Sequence, residues 1–244
     1  MRNLCALTRR EIASTFYSPM AYVVLTVFLV ITGILFPILI SPITGDMGEP
    51  ADASSVHGLL SLIGILMVAV APLLTLRLVA EEQRAGTIEA LMTTPVSDGE
   101  VIMGKWLGVA AFYVFTLGIT WIYMGIVAYL GDPDWGPILA HYLGLLLLGG
   151  MFLAIGVFGS SLTNSQIVAG VVTFVIILLF TLMDLLGTWA GGKAGPFLAH
   201  LSPFSHLYSL SEGHVDTRDL VYFITMTALW LFLATRVLES RKWR

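Results

Sequence analysis

Six long apolar segments constrain this chain more than any other feature of its sequence. They cover about residues 20–40, 57–79, 106–130, 138–160, 167–188 and 219–238. Each has about the 20 residues that a helix needs to cross roughly 30 Å of hydrocarbon, where backbone polar groups must bond within the helix. The pattern predicts an all-α membrane protein with six transmembrane helices, organised as a single transmembrane domain over residues 1–244.

The small number of charged residues excludes a soluble globular protein. Charged side chains make up 11% of the chain and hydrophobic ones 57%, with a mean hydropathy of +0.89, whereas soluble domains carry about 25% charged residues. The net charge of −4 gives no reason to expect a nucleic-acid partner. The single cysteine, Cys5, excludes an intrachain disulfide and a cysteine-based zinc cluster.

The distribution of basic residues predicts the orientation of the six segments. Ten of the twelve fall on one side: Arg2, Arg9, Arg10, Arg77, Arg84, Lys105, Arg236, Arg241, Lys242 and Arg244. The other side has only Lys193 and Arg218. Because Lys and Arg accumulate in cytoplasmic loops, we expect both termini in the cytoplasm of a bacterial inner membrane. The first apolar run is too long for a signal peptide, so no cleavage is expected.

The first 18 residues are too polar to cross a membrane. Thr8 and Glu11 fit a capping box, which predicts a helix start at this point. Ser18-Pro19 predicts a break before the first span. We expect an interfacial helix along the inner leaflet; the alternative is a frayed basic tail.

The segment from 80 to 105 is the longest predicted cytoplasmic connection. Gly86-Thr87 can start a short helix that Pro95 ends, and Ser97 with Glu100 forms a second capping box that begins the third span. Its mixture of apolar and charged residues favours docking on a cytoplasmic partner. The alternative is a solvated loop.

The outer segment from 189 to 218 is rich in apolar residues but contains no run long enough to cross. Ser202-Pro203 is typical of a helix start. We expect two short helices that dip into the outer leaflet at the outer end of a pathway, with Pro203 and Phe204 at its gate. Asp184, an acidic residue within the fifth span, is a further candidate for the pathway because ionisable residues in spans are often functional.

Two sequence features that suggest binding sites, one for a nucleotide and one for a metal ion, do not match the known motifs. Residues 99–106 (GEVIMGKW) approach a phosphate loop, but Trp106 replaces the Mg²⁺-binding hydroxyl and no strand precedes the motif. Lys105 is interpreted as an inner-leaflet anchor beside Trp106. All five histidines fall on the outer side at spacings that match no zinc motif, so hydrogen-bonded or interfacial histidines are expected rather than a metal site. No pattern indicates a catalytic residue.

Several blocks resemble a known family. Residues 81–108 (EEQRAGTIEALMTTPVSDGEVIMGKWLG) are similar to the signature region of ABC-2 type transporter permeases, especially the gliding-motility ABC permease group. Residues 16–24, 159–170 and 202–223 also resemble that family. The resemblance implies a permease with a coupling helix between spans two and three and re-entrant helices between spans five and six.

The resemblance also implies partners and site residues. The expected partners are separate ATPase subunits that bind ATP and Mg²⁺, a second permease chain in a homodimer or heterodimer, and in some relatives a large extracytoplasmic protein. The ATPase-coupling residues would be Glu81, Glu82, Arg84, Gly86, Thr87, Glu89 and Pro95. The implied function is coupling of ATP hydrolysis to export or to mechanical transmission. The alternatives are an ion-coupled carrier that uses Asp184, a membrane enzyme and a membrane scaffold.

Overall fold

The computed structural model describes residues 2–45, 53–84, 86, 97–131, 133–191 and 194–240. All regular elements within these ranges are helices. They are α1 (Arg2–Phe16), α2 (Pro19–Gly45), α3 (Ala53–Thr75), α4 (Ala80–Arg84), α5 (Asp98–Leu130), α6 (Trp135–Leu162), α7 (Gln166–Ala190), α8 (Ala194–Leu201), α9 (Pro203–Ser211) and α10 (Thr217–Ser240).

Six of the helices are long and apolar enough to cross a membrane, which confirms the predicted fold class. They are α2, α3 with its extension through α4, α5, α6, α7 and α10. The third one begins at Asp98, eight residues before the predicted boundary at 106, because the capping box at Ser97 starts the helix ahead of the apolar run. There Ser97 Oγ accepts from Glu100 N and the Glu100 carboxylate accepts from Ser97 N. This capping box is confirmed.

The structure contradicts the other predicted capping box. Helix α1 already begins at Arg2, so Thr8 and Glu11 lie in its middle and cap nothing. The predicted break is confirmed, because α1 ends at Phe16 and α2 begins at Pro19. At the far end of the chain, Ser202 is the N-cap of α9 and Pro203 its first residue, as the sequence predicts.

Helix α6 forms the centre of the bundle and contacts α3, α5, α7, α9 and α10. Its glycines permit close packing. A Cβ added at Gly144 would lie 2.8 Å from Leu207 of α9, and one added at Gly156 would overlap Thr75 of α3. In the most apolar window of α6, 72% of the residues are buried, compared with 17% in α2 and 17% in α7. The helices α2 and α7 therefore present most of their apolar surface outward.

Successive long helices run in opposite directions, which gives the bundle two distinct ends. The α1 end holds α1, α4, the start of α5 and the end of α6, where Ser160 contacts the backbone at Val79 and Ala80. The hairpin end holds the short helices α8 and α9, which we call the hairpin, with the starts of α3, α6 and α10.

Candidate functional site

A cluster of charged side chains lies where α1, α4 and α5 meet. Lys105 of α5 is 2% exposed, and its Nζ lies 2.9 Å from Glu82 Oε1 of α4 and 3.5 Å from Glu11 Oε1 of α1. Arg10 lies 2.7 Å from Glu11 and 3.4 Å from Glu82. The two cations and two carboxylates neutralise one another, which is the arrangement that buried charges require. We call these four residues the Lys105 cluster.

This geometry shows that the interpretation of Lys105 as an inner-leaflet anchor is wrong. An anchor projects its ammonium group toward lipid headgroups, but the ammonium group of Lys105 is enclosed by two carboxylates from other helices. Its neighbour Trp106 also turns inward, and its Nε1 donates to the carbonyl of Gly150 at 2.9 Å. Both side chains therefore join elements of the bundle.

Close helix packing makes the Lys105 cluster possible. Gly104 and Gly108 lie one turn apart on the face of α5 that meets α1. A Cβ added at Gly108 would lie 2.6 Å from the Cβ of Glu11, and one added at Gly104 would lie 3.1 Å from the Cβ of Leu7. The small residues let the α1 backbone approach closely enough for Glu11 to reach Lys105.

Electrostatics within α1 agree with this geometry. The hydrogen bond from Arg10 to Glu11 raises the pKa of Arg10 above its ordinary value. Partial burial opposes that shift, and the charges of Glu11 and Glu82 add to it. Arg10 therefore stays protonated and contributes a permanent positive charge to the cluster.

Hydrogen bonds to the end of α6 hold the turn between α3 and α4 in place. After Thr75 the chain turns and re-forms as α4, and Ser160 of α6 accepts hydrogen bonds from Val79 N (3.0 Å) and Ala80 N (3.1 Å). Gln83 donates to the carbonyl of Ser161 at 3.2 Å. These bonds fix the position of α4 against the end of α6.

A cavity of about 310 Å³ opens beside the Lys105 cluster, between α1, α2, α3 and α4. Its lining includes the acidic residues Glu11, Glu81 and Glu82 and the basic residues Arg77 and Lys105. Arg77 pairs with Glu81 at 3.1 Å on the exposed side. Charges of both signs at one concave surface suit recognition of a mixed-charge protein segment.

The predicted coupling residues fall in two groups. Glu81, Glu82 and Arg84 lie on α4, and Gly86 follows in an exposed turn with a positive φ of 69°. The structure brings Glu82 into the Lys105 cluster and leaves Arg84 exposed. Thr87, Glu89 and Pro95, together with the predicted short helix from 88 to 92, lie outside the described residues.

The hairpin end has its own buried polar pair, formed by a histidine and an aspartate. His206 Nδ1 of α9 lies 2.6 Å from Asp219 Oδ1 of α10, and both side chains are nearly inaccessible to solvent. The other ring nitrogen lies 3.0 Å from the carbonyl oxygen of His200. Each ring nitrogen of His206 therefore has an oxygen atom within hydrogen-bond distance. The ring of Tyr222 stacks on His206 at 4.0 Å, and its hydroxyl donates to the carbonyl of Leu201.

The remaining histidines also lie at the hairpin end. Arg218 approaches the ring of His200 at 3.1 Å, and desolvation together with this cation lowers the pKa of His200. The expectation of hydrogen-bonded histidines is thus confirmed for His200 and His206. His141 is buried beside His57, and neither of its ring nitrogens has a hydrogen-bond partner among the described residues, so for His141 only the interfacial alternative stays open as a prediction. Among the described residues no group of three potential ligands could hold a metal ion.

The predicted pathway residues do not form one site. Pro203 is buried at the start of α9, and Phe204 packs near Phe152 of α6 at 6.5 Å between ring centroids. Asp184 lies on an exposed face of α7. Within the described ranges no hydrogen bond or ion pair joins it to Pro203 or Phe204.

Sequence reasoning missed two residues that fix the site. Asp219 is the first residue of the sixth predicted span, and no local sequence pattern pairs it with His206. Ser160 lies in an ordinary run of small residues, and only the fold shows that it holds the end of α3.

Comparisons with known proteins give one family. Residues 6–240 match the family model described as ABC-2 family transporter protein. The ABC transporter permease protein NatB of Bacillus subtilis (strain 168) is 32% identical over 116 residues, an alignment that covers 41% of this chain and 30% of that protein.

Proposed function

The chain belongs to the ABC-2 family of transporter proteins, and from that premise we propose that it is the membrane-spanning permease subunit of an ATP-binding-cassette transporter. In this proposal a separate ATPase subunit binds ATP and Mg²⁺ and carries out the hydrolysis, so this chain is not itself an enzyme. Its task is to convert movement of the ATPase into movement of its own helices. The resemblance to the gliding-motility group stays a prediction.

The Lys105 cluster is the observation that carries this proposal. It ties α1, α4 and α5 together on both sides of the segment from 85 to 96, the segment predicted to dock on the ATPase. A displacement of that segment would therefore be transmitted by α4 to α3, by Lys105 to α5, and by Glu11 to α1. Such a joint transmits motion as a rigid-body shift of several helices.

The orientation follows from the charge distribution. The α1 end carries the cations of Arg10, Arg77 and Lys105 and is proposed to face the cytoplasm, with both chain termini on that side. Helix α1 would then lie at the level of the inner leaflet while its buried face packs on α5. The hairpin end would face the outside of a bacterial inner membrane.

A second permease chain is proposed to cover α2 or α7. These two spans are as apolar as the rest, yet each keeps most of its surface outside the bundle. A lateral surface of this kind is compatible with a homodimer and with a heterodimer. A large extracytoplasmic partner, implied by the family resemblance, would meet the hairpin end.

The proposed outcome of coupling is export or mechanical transmission across the membrane, with the hairpin as an outer gate that includes Pro203 and Phe204. An ion-coupled carrier built on Asp184 is less favoured. Such carriers hold their charged groups near the midplane within the protein, and Asp184 lies exposed near the outer end of α7.

Site-specific cross-linking tests the proposal. Cys5 is replaced by serine, and a single cysteine is placed at the exposed Arg84 of the α1 end (Arg84→Cys) or, as the matched control, at the exposed Val215 of the hairpin end (Val215→Cys). We expect Arg84→Cys to cross-link to an ATPase subunit in native membranes and Val215→Cys not to do so. Labelling of Arg84→Cys by a membrane-impermeant thiol reagent added to intact cells would contradict the orientation and the proposal with it.

A further inference from the structure

A deep groove lies on the side of the bundle, between α5, α6 and α10. Its volume is about 540 Å³. Trp106 and the buried Tyr113 line its interior, and the exposed side chains of Val114, Leu146 and Phe232 form its rim. It does not involve α2 or α7, and the proposed coupling function makes no use of it.

The chemistry of the groove favours an apolar ligand, because the polar side chains that line it in the described part of the chain already have partners within the protein. Four such hydrogen bonds are made: Trp106 Nε1 to Gly150 O (2.9 Å), Tyr113 OH to Leu145 O (2.6 Å), Thr227 Oγ1 to Phe223 O (2.7 Å) and Thr235 Oγ1 to Leu231 O (2.9 Å). An occupant that brought its own polar groups into the groove would leave them unpaired and would lose affinity.

The groove is long enough to hold the hydrocarbon of one leaflet of a membrane. Along α5 it extends from Gly99 to Val114, and 15 residues at about 1.5 Å each give about 22 Å. Along α10 it extends from Ile224 to Thr235, which gives about 16 Å. The hydrocarbon of one leaflet is about 15 Å deep, half of the full thickness of about 30 Å. The groove thus runs from the middle of the bundle to the α1 end.

A cation stands at the mouth of the groove. Arg236 directly follows Thr235, its side chain is 61% exposed, and its guanidinium lies 4.9 Å from the centroid of the Phe232 ring on the rim. It also pairs with Glu239 at 2.7 Å. A guanidinium has five N–H donors, so this pair leaves donors for a phosphate group. The sequence adds Arg241, Lys242 and Arg244, beyond the described residues.

We propose that the groove binds one acyl chain of an anionic phospholipid from the leaflet at the α1 end, with Arg236 at the headgroup phosphate. The apolar walls select the acyl chain. The position of the groove, between the middle of the bundle and the α1 end, determines the leaflet, and the cation at its mouth selects the headgroup. The bound lipid fills a gap between α5 and α10 that side chains leave open.

Fluorescence quenching tests the proposal directly, because Trp106 lines the groove. A variant that keeps Trp106 and has phenylalanine at the other five tryptophans is reconstituted into vesicles that contain phosphatidylglycerol or phosphatidylcholine with brominated acyl chains. One basic residue near a membrane surface contributes about fivefold in affinity for anionic lipid. We expect half-maximal quenching at an about fivefold lower fraction of the brominated anionic lipid, and we expect Arg236→Gln to remove this difference.

Two substitutions on α10 give a matched pair. Ala228→Phe fills the groove and should abolish the preferential quenching. Val221→Phe introduces the same ring at an exposed position outside the groove and should leave it unchanged. Size-exclusion profiles and unfolding temperatures check that both variants fold, and Ala110→Leu replaces Ala228→Phe if the latter does not.

Three outcomes would overturn the proposal. Equal quenching by the two lipids would show that Trp106 samples only bulk lipid. Preferential quenching that survives Ala228→Phe would place the lipid elsewhere. The third outcome combines two observations: neither lipid quenches Trp106, and energy is transferred between differently labelled copies of the chain. Together they would show that a second copy of the chain covers the groove.

Discussion

At the α1 end, one lysine joins two carboxylates from two other helices, whereas at the hairpin end one histidine faces a single carboxylate and a carbonyl oxygen. The Lys105 cluster connects long membrane-spanning helices with α1, and Arg10 adds a second cation that touches both carboxylates. The His206–Asp219 pair connects the short hairpin to a single long helix. The Lys105 cluster therefore couples α1, α4 and α5 to one another, whereas the His206–Asp219 pair fixes the hairpin to α10.

This difference predicts different responses to damage. Removing Lys105 takes the buried cation away from the carboxylates of Glu11 and Glu82, and the effect should spread through α1, α4 and α5. Removing Asp219 leaves the imidazole of His206 without its carboxylate partner, and the effect should stay at the hairpin end. The following predictions test that contrast.

The largest effect is expected for Lys105→Met. Breaking a buried ion pair by removing one partner costs about 3–5 kcal/mol, because the remaining charge stays buried. We expect a loss of this size in the free energy of unfolding, measured by detergent titration in mixed micelles. Arg9→Gln, a charge removal at an exposed position of α1, should change it little.

A double-variant cycle sharpens the first prediction. If Lys105 and Glu82 act as one unit, Lys105→Met combined with Glu82→Gln should lose clearly less than the sum of the two single losses. Additive losses would show that the 2.9 Å pair is not an energetic unit. Such a result would remove the main support for the proposed joint.

A smaller and local effect is expected for Asp219→Asn. A hydrogen bond to a charged group contributes about 1.5–3 kcal/mol, and the amide keeps the shape of the carboxylate but not its charge. Hydrogen exchange should accelerate in α9 and at the start of α10, and stay unchanged in α1. Glu212→Gln, an exposed neighbour, is the control. Equal acceleration in α1 would show that the two ends are coupled.

The fold could be predicted from the sequence because the determining signals are local. An apolar run of about 20 residues indicates a span whatever surrounds it, and Ser97 with Glu100 or Ser202 with Pro203 marks a helix start within a few residues. The same local logic failed at Thr8 and Glu11. That spacing fits a capping box, but the carboxylate is needed by Lys105 in another helix.

The candidate site was predictable only in part, since its contacts join distant parts of the chain. Lys105 meets Glu11 and Glu82, and Ser160 meets the turn at Val79. No spacing rule relates such residues. Hydropathy also failed to separate the central α6 from the peripheral α2 and α7, because lipid and protein interior are equally apolar solvents for a side chain. The feature that distinguishes α6 is its glycines, which allow neighbouring helices to approach closely.

The smallest effect, and the most selective for the α1 end, is expected from a single methyl group on α5. Gly108→Ala places a Cβ 2.6 Å from the Cβ of Glu11, whereas Gly118→Ala, on the same helix, meets nothing within 4 Å. Overpacking costs about 1–3 kcal/mol, and the lower end applies because α1 lies at the edge of the bundle and can move away. Gly118→Ala should be neutral or slightly stabilising, since alanine favours helix more than glycine does.

This pair of variants separates docking of α1 from stability of the whole chain. Displacing α1 withdraws Glu11 from Lys105, so in Gly108→Ala the cross-link from Arg84→Cys to the ATPase should persist while ATPase stimulation by the assembled complex declines. Docking of the ATPase and transmission of its movement would then be distinct properties of the α1 end. Docking would depend on α4, and transmission would depend on the Lys105 cluster. Faster hydrogen exchange in α1 would confirm that α1 has moved in Gly108→Ala. If ATPase stimulation were then unchanged, α1 would take no part in transmission. The coupling contact would be limited to Glu82 and Lys105.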